Sequence, residues 1–213
     1  MYSSHKISPE AVPPAGFRYL PGRLDAAEQA RLIGEIRAVI GLAPLFVPTM
    51  PRSGRAFSVR MSNCGALGWV SDATGGYRYQ AHHPATGQAW PAIPEPLLRL
   101  WDEVADGAPR PEACLINYYA PGAKMGTHRD ADEANRSAPV VSVSLGDEAI
   151  FHVGGPSRRD PKHRLVLRSG DVVVLGGAAR LAYHGVDRIA PGSSALVEEG
   201  GRFNLTLRRV RPS

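Results

Sequence analysis

Hydrophobic positions along this chain follow two spacings, helical in the first half and alternating in the second. Asp25 and Glu28 stand as a capping box would require, and Leu32, Ile33, Ile36, Val39 and Ile40 then fall on one face of a helix. A second helix is expected with Pro96 in its first turn and Leu97, Leu100, Trp101 and Val104 on its apolar face, ending near Asp106 and Gly107. Between them Pro44, Pro48 and Pro51 interrupt the pattern. From there to about residue 90, short strand-like pieces (AFSVRMSN) alternate with loop-like text (SDATGG), and Trp69, Tyr77, Tyr79 and Trp90 all lie in this region.

Beyond Pro111 the text is almost wholly strand-like: ACLINYY, VVSVSL, AIFHV, HRLVLR, DVVVLG and RFNLTLR. Ser169 and Gly170, between HRLVLR and DVVVLG, read as a two-residue hairpin turn. Short β-branched or alternating runs joined by Gly-rich turns predict a mainly β fold, an antiparallel sandwich or barrel with the two helices packed outside. Neither an internal repeat nor a linker is visible, so the 213 residues read as one domain.

Composition narrows the setting. No run approaches the ~18 apolar residues of a membrane span, and the N-terminus (MYSSHKISPEAVPPAG) lacks an apolar signal core, so a cytoplasmic protein is expected. Cys64 and Cys114 are far apart in sequence and sit in no zinc-type spacing; both read as small buried hydrophobes. The net charge is +5, and residues 151–213 hold all the excess, with 11 Lys and Arg against 5 Asp and Glu. Residues 1–150 carry 14 against 15. Such clustering is compatible with a polyanion, most simply nucleic acid.

In RFNLTLR a period of two puts Arg202, Asn204, Thr206 and Arg208 on one face and Phe203, Leu205 and Leu207 on the other. Two guanidiniums with Asn and Thr between them suit a small dianion, although a basic edge strand would look the same. His128 and Asp130, two apart, project the same way from a strand and offer imidazole and carboxylate to a divalent first-row metal. His184, in LAYHG, is the candidate third ligand. His5 lies in the N-terminal arm, His82 and His83 in a loop before a proline, His163 among basic residues, and His152 on a strand with no nearby carboxylate expected. Two histidines and one carboxylate form the facial triad of non-haem iron(II) oxygenases, which leaves positions free for a 2-oxo acid and oxygen. Arg202 or Arg208 would then meet the far carboxylate.

At HRD, YHG and RFNLTLR the chain resembles the AlkB-type iron(II)- and 2-oxoglutarate-dependent dioxygenases, which remove alkyl damage from nucleic-acid bases. SNCGALGW, GYRY, ACLINYYAPGAKMGTHRDADE, PVVSVSLG, GDVVVLGG and RLAYHGV resemble stretches of that family's bacterial members, in order, from about residue 20 to the end. The resemblance implies a double-stranded β-helix, or jelly roll, with an N-terminal nucleotide-recognition lid. The chain would divide into an irregular arm (about 1–16), a helix plus lid (about 17–92), and a helix plus jelly-roll core (about 93–213). By the same resemblance His128, Asp130 and His184 would bind iron, and Arg202, Asn204 and Arg208, with Asn117 and Tyr119, would hold 2-oxoglutarate. Trp69 would stack on the damaged base with His128 on its other side, and Tyr77 and Tyr79 would hold the nucleotide backbone. Asp132 and Arg158 match substrate-contacting positions. Tyr118, Arg78 and Arg129 depart from the family, and the two arginines would add positive charge near the mouth of the site.

The implied reaction uses Fe(II), 2-oxoglutarate and O2, and the difficult oxidation belongs to the cofactor. A methyl on 1-methyladenine or 3-methylcytosine becomes an N-hydroxymethyl group that collapses to formaldehyde and the unmodified base. Such a methyl blocks pairing, so the base is cheaper to turn out, and single strands avoid the unpairing cost altogether. Single-stranded or damaged DNA is the expected partner, bound by a monomer. An RNA or tRNA demethylase, a metabolite dioxygenase and a non-catalytic jelly-roll binder are the alternatives.

Overall fold

The computed structural model describes residues 11–212; His5 and most of the expected N-terminal arm lie outside this range. The chain runs through β1 (Phe17–Leu20), α1 (Ala26–Leu42), β2 (Arg60–Gly65), β3 (Gly68–Asp72), β4 (Gly76–Gln80), α2 (Glu95–Val104), β5 (Ala113–Tyr119), β6 (Met125–His128), β7 (Val140–Gly146), β8 (Glu148–Val153), β9 (His163–Leu167), β10 (Val172–Leu175), β11 (His184–Ala190) and β12 (Arg202–Arg208). A 3₁₀ turn over Gly177–Leu181 precedes β11. Among the described residues no helix is long and apolar enough to cross a membrane.

All strand pairs are antiparallel. Six strands form a major sheet in the order β1-β10-β7-β12-β5-β2, four form a minor sheet in the order β6-β11-β8-β9, and β3 and β4 form a separate hairpin. The two large sheets make the jelly roll, and both helices pack on the outer face of the major sheet, as the hydrophobic pattern predicted. The capping box at Asp25 and Glu28 is formed, and Leu32, Ile33, Ile36 and Val39 are buried. So are Leu97, Leu100, Trp101 and Val104.

The central strands of the major sheet alternate between two apolar layers. Cys114, Ile116, Val141, Val143, Val172, Val174, Phe203, Leu205 and Leu207 join the helices in one cluster. Leu115, Val140, Val173 and Leu175 face the minor sheet and pack with Phe151, Val153, Leu167 and Val186. Burial on both faces explains why DVVVLG reads as a continuous apolar run and not as an alternation. Cys64 and Cys114 face each other in the register of β2 and β5 as free, buried thiols, brought together despite their distance in sequence.

Two expectations are corrected. Ser169 and Gly170 do not close a hairpin: β9 pairs with β8, whereas β10 pairs with β7 and β1. The turn carries the chain from one sheet to the other, held because Asp171 accepts from Arg168 N at 2.7 Å, Gly22 N at 2.7 Å and the Tyr19 hydroxyl at 2.8 Å. In addition, β1 and β2, which precede residue 93, lie in the major sheet, so that stretch supplies core strands besides the hairpin.

Candidate metal centre and cosubstrate pocket

β6 and β11 are neighbours in the minor sheet, and their register sets His128 directly opposite His184. The ring centroids are 4.5 Å apart. Each Nδ1 lies 2.9 Å from a backbone carbonyl two residues earlier, Gly126 for His128 and Ala182 for His184. A carbonyl can only accept, so both Nδ1 atoms carry a proton and Nε2 is the nitrogen each ring can offer to a metal. Asp130 follows β6, with Oδ1 3.8 Å from His128 Nε2. One ligand atom from each of the three residues lies within 4.8 Å of the others.

Charge prepares these groups for a cation. Burial alone would raise the Asp130 carboxyl, but Arg208, His184 and His128 outweigh it and hold it well below the usual carboxylate range. Burial, with His128 adding to it, pushes His184 down to about 4. Near neutral pH the set is therefore a carboxylate and a neutral imidazole, the protonation that metal binding requires. Asp130 Oδ2 is already engaged, accepting from Arg208 Nη2 at 2.9 Å and Nε at 3.3 Å, so Oδ1 is the oxygen left for a metal.

The two arginines of β12 do different work. Arg208 is paired with Asp130 and lies 3.4 Å from Glu133. Arg202 is 1% exposed and donates from Nη2 to Ser144 Oγ at 2.9 Å. Among the described residues its Nε and Nη1 have no hydrogen-bond partner, nor does Asn117 Oδ1. Burial accordingly draws the Arg202 pKa below its ordinary value, with Tyr119 and Asp171 opposing the shift. A buried guanidinium with two orphaned nitrogens is costly unless an anion completes it, and a carboxylate fits that fork. Its place is a cavity between the two sheets, about 570 Å³ including the mouth, lined by His128, Asp130, His184, Asn117, Tyr119 and Arg202 among others. The guanidinium lies 5.3 Å from the centre of the Tyr119 ring, and burial raises that phenol to about 12, so it remains a donor. Asn204 is spoken for: its amide donates to Ser142 Oγ at 2.7 Å and Val143 O at 3.2 Å and accepts from Thr206.

The β3–β4 hairpin meets the loop after β6. Asn63 grips the Trp69 backbone through two 3.0 Å bonds, and Trp69 Nε1 donates to Asp132 Oδ2 at 2.8 Å. The indole is stacked on Tyr77, with centroids 5.6 Å apart, and Phe57 meets it edge-on. The Tyr79 hydroxyl turns inward and donates to Glu133. Arg78 takes the other face of β4, where it pairs with Asp72 at 2.8 Å; the added charge expected of it at the mouth is thereby neutralised. Arg129 is exposed and lies over the Tyr183 ring, and Arg158 is exposed in the turn after β8.

Several contributors are not visible in the sequence. Glu133 and Arg180 are buried partners at 3.0 Å, and Arg180 also donates to the carbonyls of Asp130 and Ala138, fixing the loop that carries Asp130. DADE and GAARL look like solvated text, and only the acid three residues after Asp130 hints otherwise. His152 does have a carboxylate neighbour, Asp187 at 2.8 Å, supplied by a strand the hydrophobic pattern did not reveal. Much of the basic excess of the C-terminal third is paired or buried: Arg164, Arg168, Arg180, Arg208, Arg209 and Arg211 are ion-paired and Arg202 is buried.

Residues 16–208 match the family model described as the 2OG-Fe(II) oxygenase superfamily. The chain is 52% identical over 196 residues to the alpha-ketoglutarate-dependent dioxygenase AlkB homolog of Caulobacter vibrioides (strain NA1000 / CB15N), covering 92% of this chain and 88% of that one. It is 46% identical over 190 residues to the alpha-ketoglutarate-dependent dioxygenase AlkB of Escherichia coli (strain K12), covering 87% and 86%. Among solved structures, that of OsALKBH1 superposes with a TM-score of 0.79 at 30% identity, covering 94% of this chain and 100% of that one.

Proposed function

Since the chain belongs to the 2OG-Fe(II) oxygenase superfamily and is an AlkB-type iron(II)- and 2-oxoglutarate-dependent dioxygenase, we propose that it oxidatively demethylates 1-methyladenine and 3-methylcytosine in DNA and so repairs alkylation damage. The observation that carries this reading is the buried Arg202, with two orphaned nitrogens, in the same cavity as a His-Asp-His cluster.

His128 Nε2, Asp130 Oδ1 and His184 Nε2 would hold the iron. Arg202 would receive a carboxylate of 2-oxoglutarate, with Asn117 and Tyr119 beside it, while Arg208 occupies Asp130 Oδ2 and leaves Oδ1 for the metal. Asn204 serves the pocket by linking β12 to β7. When bound, iron(II), 2-oxoglutarate and O2 supply the oxidation of the methyl, with succinate and CO2 as products. The N-hydroxymethyl group then breaks down to formaldehyde and the free base without a protein nucleophile.

Trp69 offers an aromatic face to the extruded base, and Tyr77 and the exposed Arg158 and Arg129 are placed for its backbone. Asp132 is bonded to Trp69 and accepts from the exocyclic amine of the cationic base. Tyr79 contributes from within, through Glu133. Arg78 shapes the hairpin through Asp72. We further propose that it acts as a monomer in the cytoplasm, where its substrate lies.

The test is a 3-methylcytosine oligonucleotide, as DNA and as RNA, incubated with iron(II), ascorbate and 2-oxoglutarate and then weighed. Loss of one methyl mass from the DNA that disappears in His128→Ala is expected. Demethylation of the RNA alone points to the alternative substrate, and 2-oxoglutarate turnover with both oligonucleotides unchanged overturns the reading.

A further inference from the structure

The outer face of the minor sheet carries a polar belt that the proposed reaction does not use. Its inner face turns His128, His184 and Phe151 to the cavity. On the back, His152 of β8 stands opposite Gly185 of β11. Gly185 has no side chain, so the imidazole lies across it: a Cβ there would come within 2.8 Å of the ring. Having crossed β11, the ring reaches β6, where Thr127 Oγ1 is 2.9 Å from Nε2. Its Nδ1 lies 2.8 Å from Asp187 Oδ1, at a bent hydrogen-bonding angle. Arg164 of β9 donates to the other oxygen of Asp187 at 3.1 Å, and Lys162 donates to Thr127 Oγ1 at 2.9 Å. All four strands of the sheet are tied together.

Donors and acceptors along the belt are in consistent order. Burial, outweighing Asp187, holds His152 below the usual histidine range, so the ring is neutral near pH 7, with one N–H and one lone pair. Nδ1–H faces the carboxylate, Nε2 accepts from the Thr127 hydroxyl, and that oxygen accepts from Lys162. No donor meets a donor.

The belt's position matters more than its chemistry. Thr127 immediately precedes His128, and Gly185 immediately follows His184. Between these strands the backbone ladder is irregular: the β6–β11 register shifts between His184 and Val186, and the β11–β8 register between Val186 and Arg188. Bulges weaken the ladder's hold on register and leave side chains to fix it. We propose that His152 is a positioning residue, which braces β6 against β11 from behind and so sets the separation of His128 and His184 that a bound metal meets. This rests on the reading of His128, Asp130 and His184 as the metal site.

The test titrates metal-free full-length protein with Co(II), followed by its visible absorption, alongside thermal melts of the metal-free protein. His152→Ala and Thr127→Val should each weaken Co(II) binding by about 10-fold or more, on the scale seen when outer partners of metal ligands are removed. The double variant should be no worse than the weaker single one. His152→Gln, which keeps an acceptor toward Thr127, should recover most of the affinity, and KM for the oligonucleotide should stay unchanged throughout. A lowered melting temperature with unchanged Co(II) affinity would show a merely structural brace and overturn the inference. If His128→Ala and His184→Ala lose Co(II) while His152→Ala and Thr127→Val keep it, this inference alone falls. If the ligand variants themselves retain Co(II), the metal-site reading falls and takes the inference with it.

Discussion

Asp130 and Arg208 are joined through a single carboxylate oxygen: Oδ2 accepts from both Nη2 and Nε of the guanidinium, while Oδ1 faces His128. The arginine therefore decides which oxygen a metal can take. It also sets Arg208 apart from Arg202, whose free nitrogens await a different anion.

This asymmetry predicts two distinct phenotypes. Arg202→Gln should raise KM for 2-oxoglutarate by roughly 30-fold or more, the scale of roughly 2–5 kcal/mol for removing one partner of a buried charge pair, with metal affinity little changed. Arg208→Gln should instead weaken metal binding and destabilise the metal-free protein, since Asp130 is left buried without its cation. Succinate formation against 2-oxoglutarate concentration, and Co(II) titration, separate the two. Equal KM effects from both variants would count against the division.

A chelator should abolish turnover, and iron(II) should restore it. Asp130→Ala should leave no restorable activity, whereas a variant of the exposed Arg99, which joins no ion pair among the described residues, should behave as the wild type. Oligonucleotide mass after treatment is the measurement.

Acid should destabilise the metal-free protein in a defined window. His184 is held at about 4 when folded and returns to about 6.5 when unfolded. Between these values the unfolded chain binds the proton that the folded one excludes, so stability rises with pH. On the order of 3 kcal/mol should be lost as pH falls from about 6.5 toward 4. Asp130, depressed when folded, adds its own loss only below about pH 4, where unfolded carboxylates protonate. Urea denaturation across this range should show the slope in the wild type and a flatter profile in His184→Asn; a flat wild-type profile refutes the assignment.

Trp69→Ala should weaken oligonucleotide binding by about 1–3 kcal/mol, the worth of one stacked base, with 2-oxoglutarate KM unchanged. Trp69→Phe should keep part of the stacking but lose the bond to Asp132. Fluorescence anisotropy with a labelled methylated strand reads both, and an unaffected Trp69→Ala would remove this residue from the substrate site.

Removal of the α1 cap gives a check independent of chemistry. Asp25→Ala loses the bond to Glu28 N at 2.8 Å and should cost about 1 kcal/mol, seen as a lower urea midpoint at constant slope.

What can be read in the sequence is what two-sided burial writes into it. β5, β7, β10 and β12 are the centre of the major sheet, so VVSVSL and DVVVLG announce themselves, as do the helix faces that cover them. β6 and β11 do not, although they hold both histidines. MGTH is too short to show a period, and HGVDRIA puts Asp187 and Arg188 in water, so its pattern looks like a loop. The hidden identity of β11 is also why His152 looks unpartnered in the sequence. Ser169 and Gly170 do form a tight turn, but local text carries no sign of which sheet the next strand joins. The last strand is the reverse case: alternation in RFNLTLR is enough to gather its four polar residues on one face. Alternation is silent, however, on what each guanidinium meets, because the partner of Arg208 is Asp130, far away in the chain.

β12 lies at the heart of the major sheet, its apolar side chains wedged under the helices and its polar ones turned to the cavity. A shift there would disturb packing on both faces of the sheet, so a cosubstrate held as proposed would be gripped by the most deeply embedded strand of the fold. The β3–β4 hairpin, by contrast, is a two-stranded appendage. A substitution in that appendage disturbs only two strands, so on the proposed reading the choice of lesion could change while the buried furnace stays as it is.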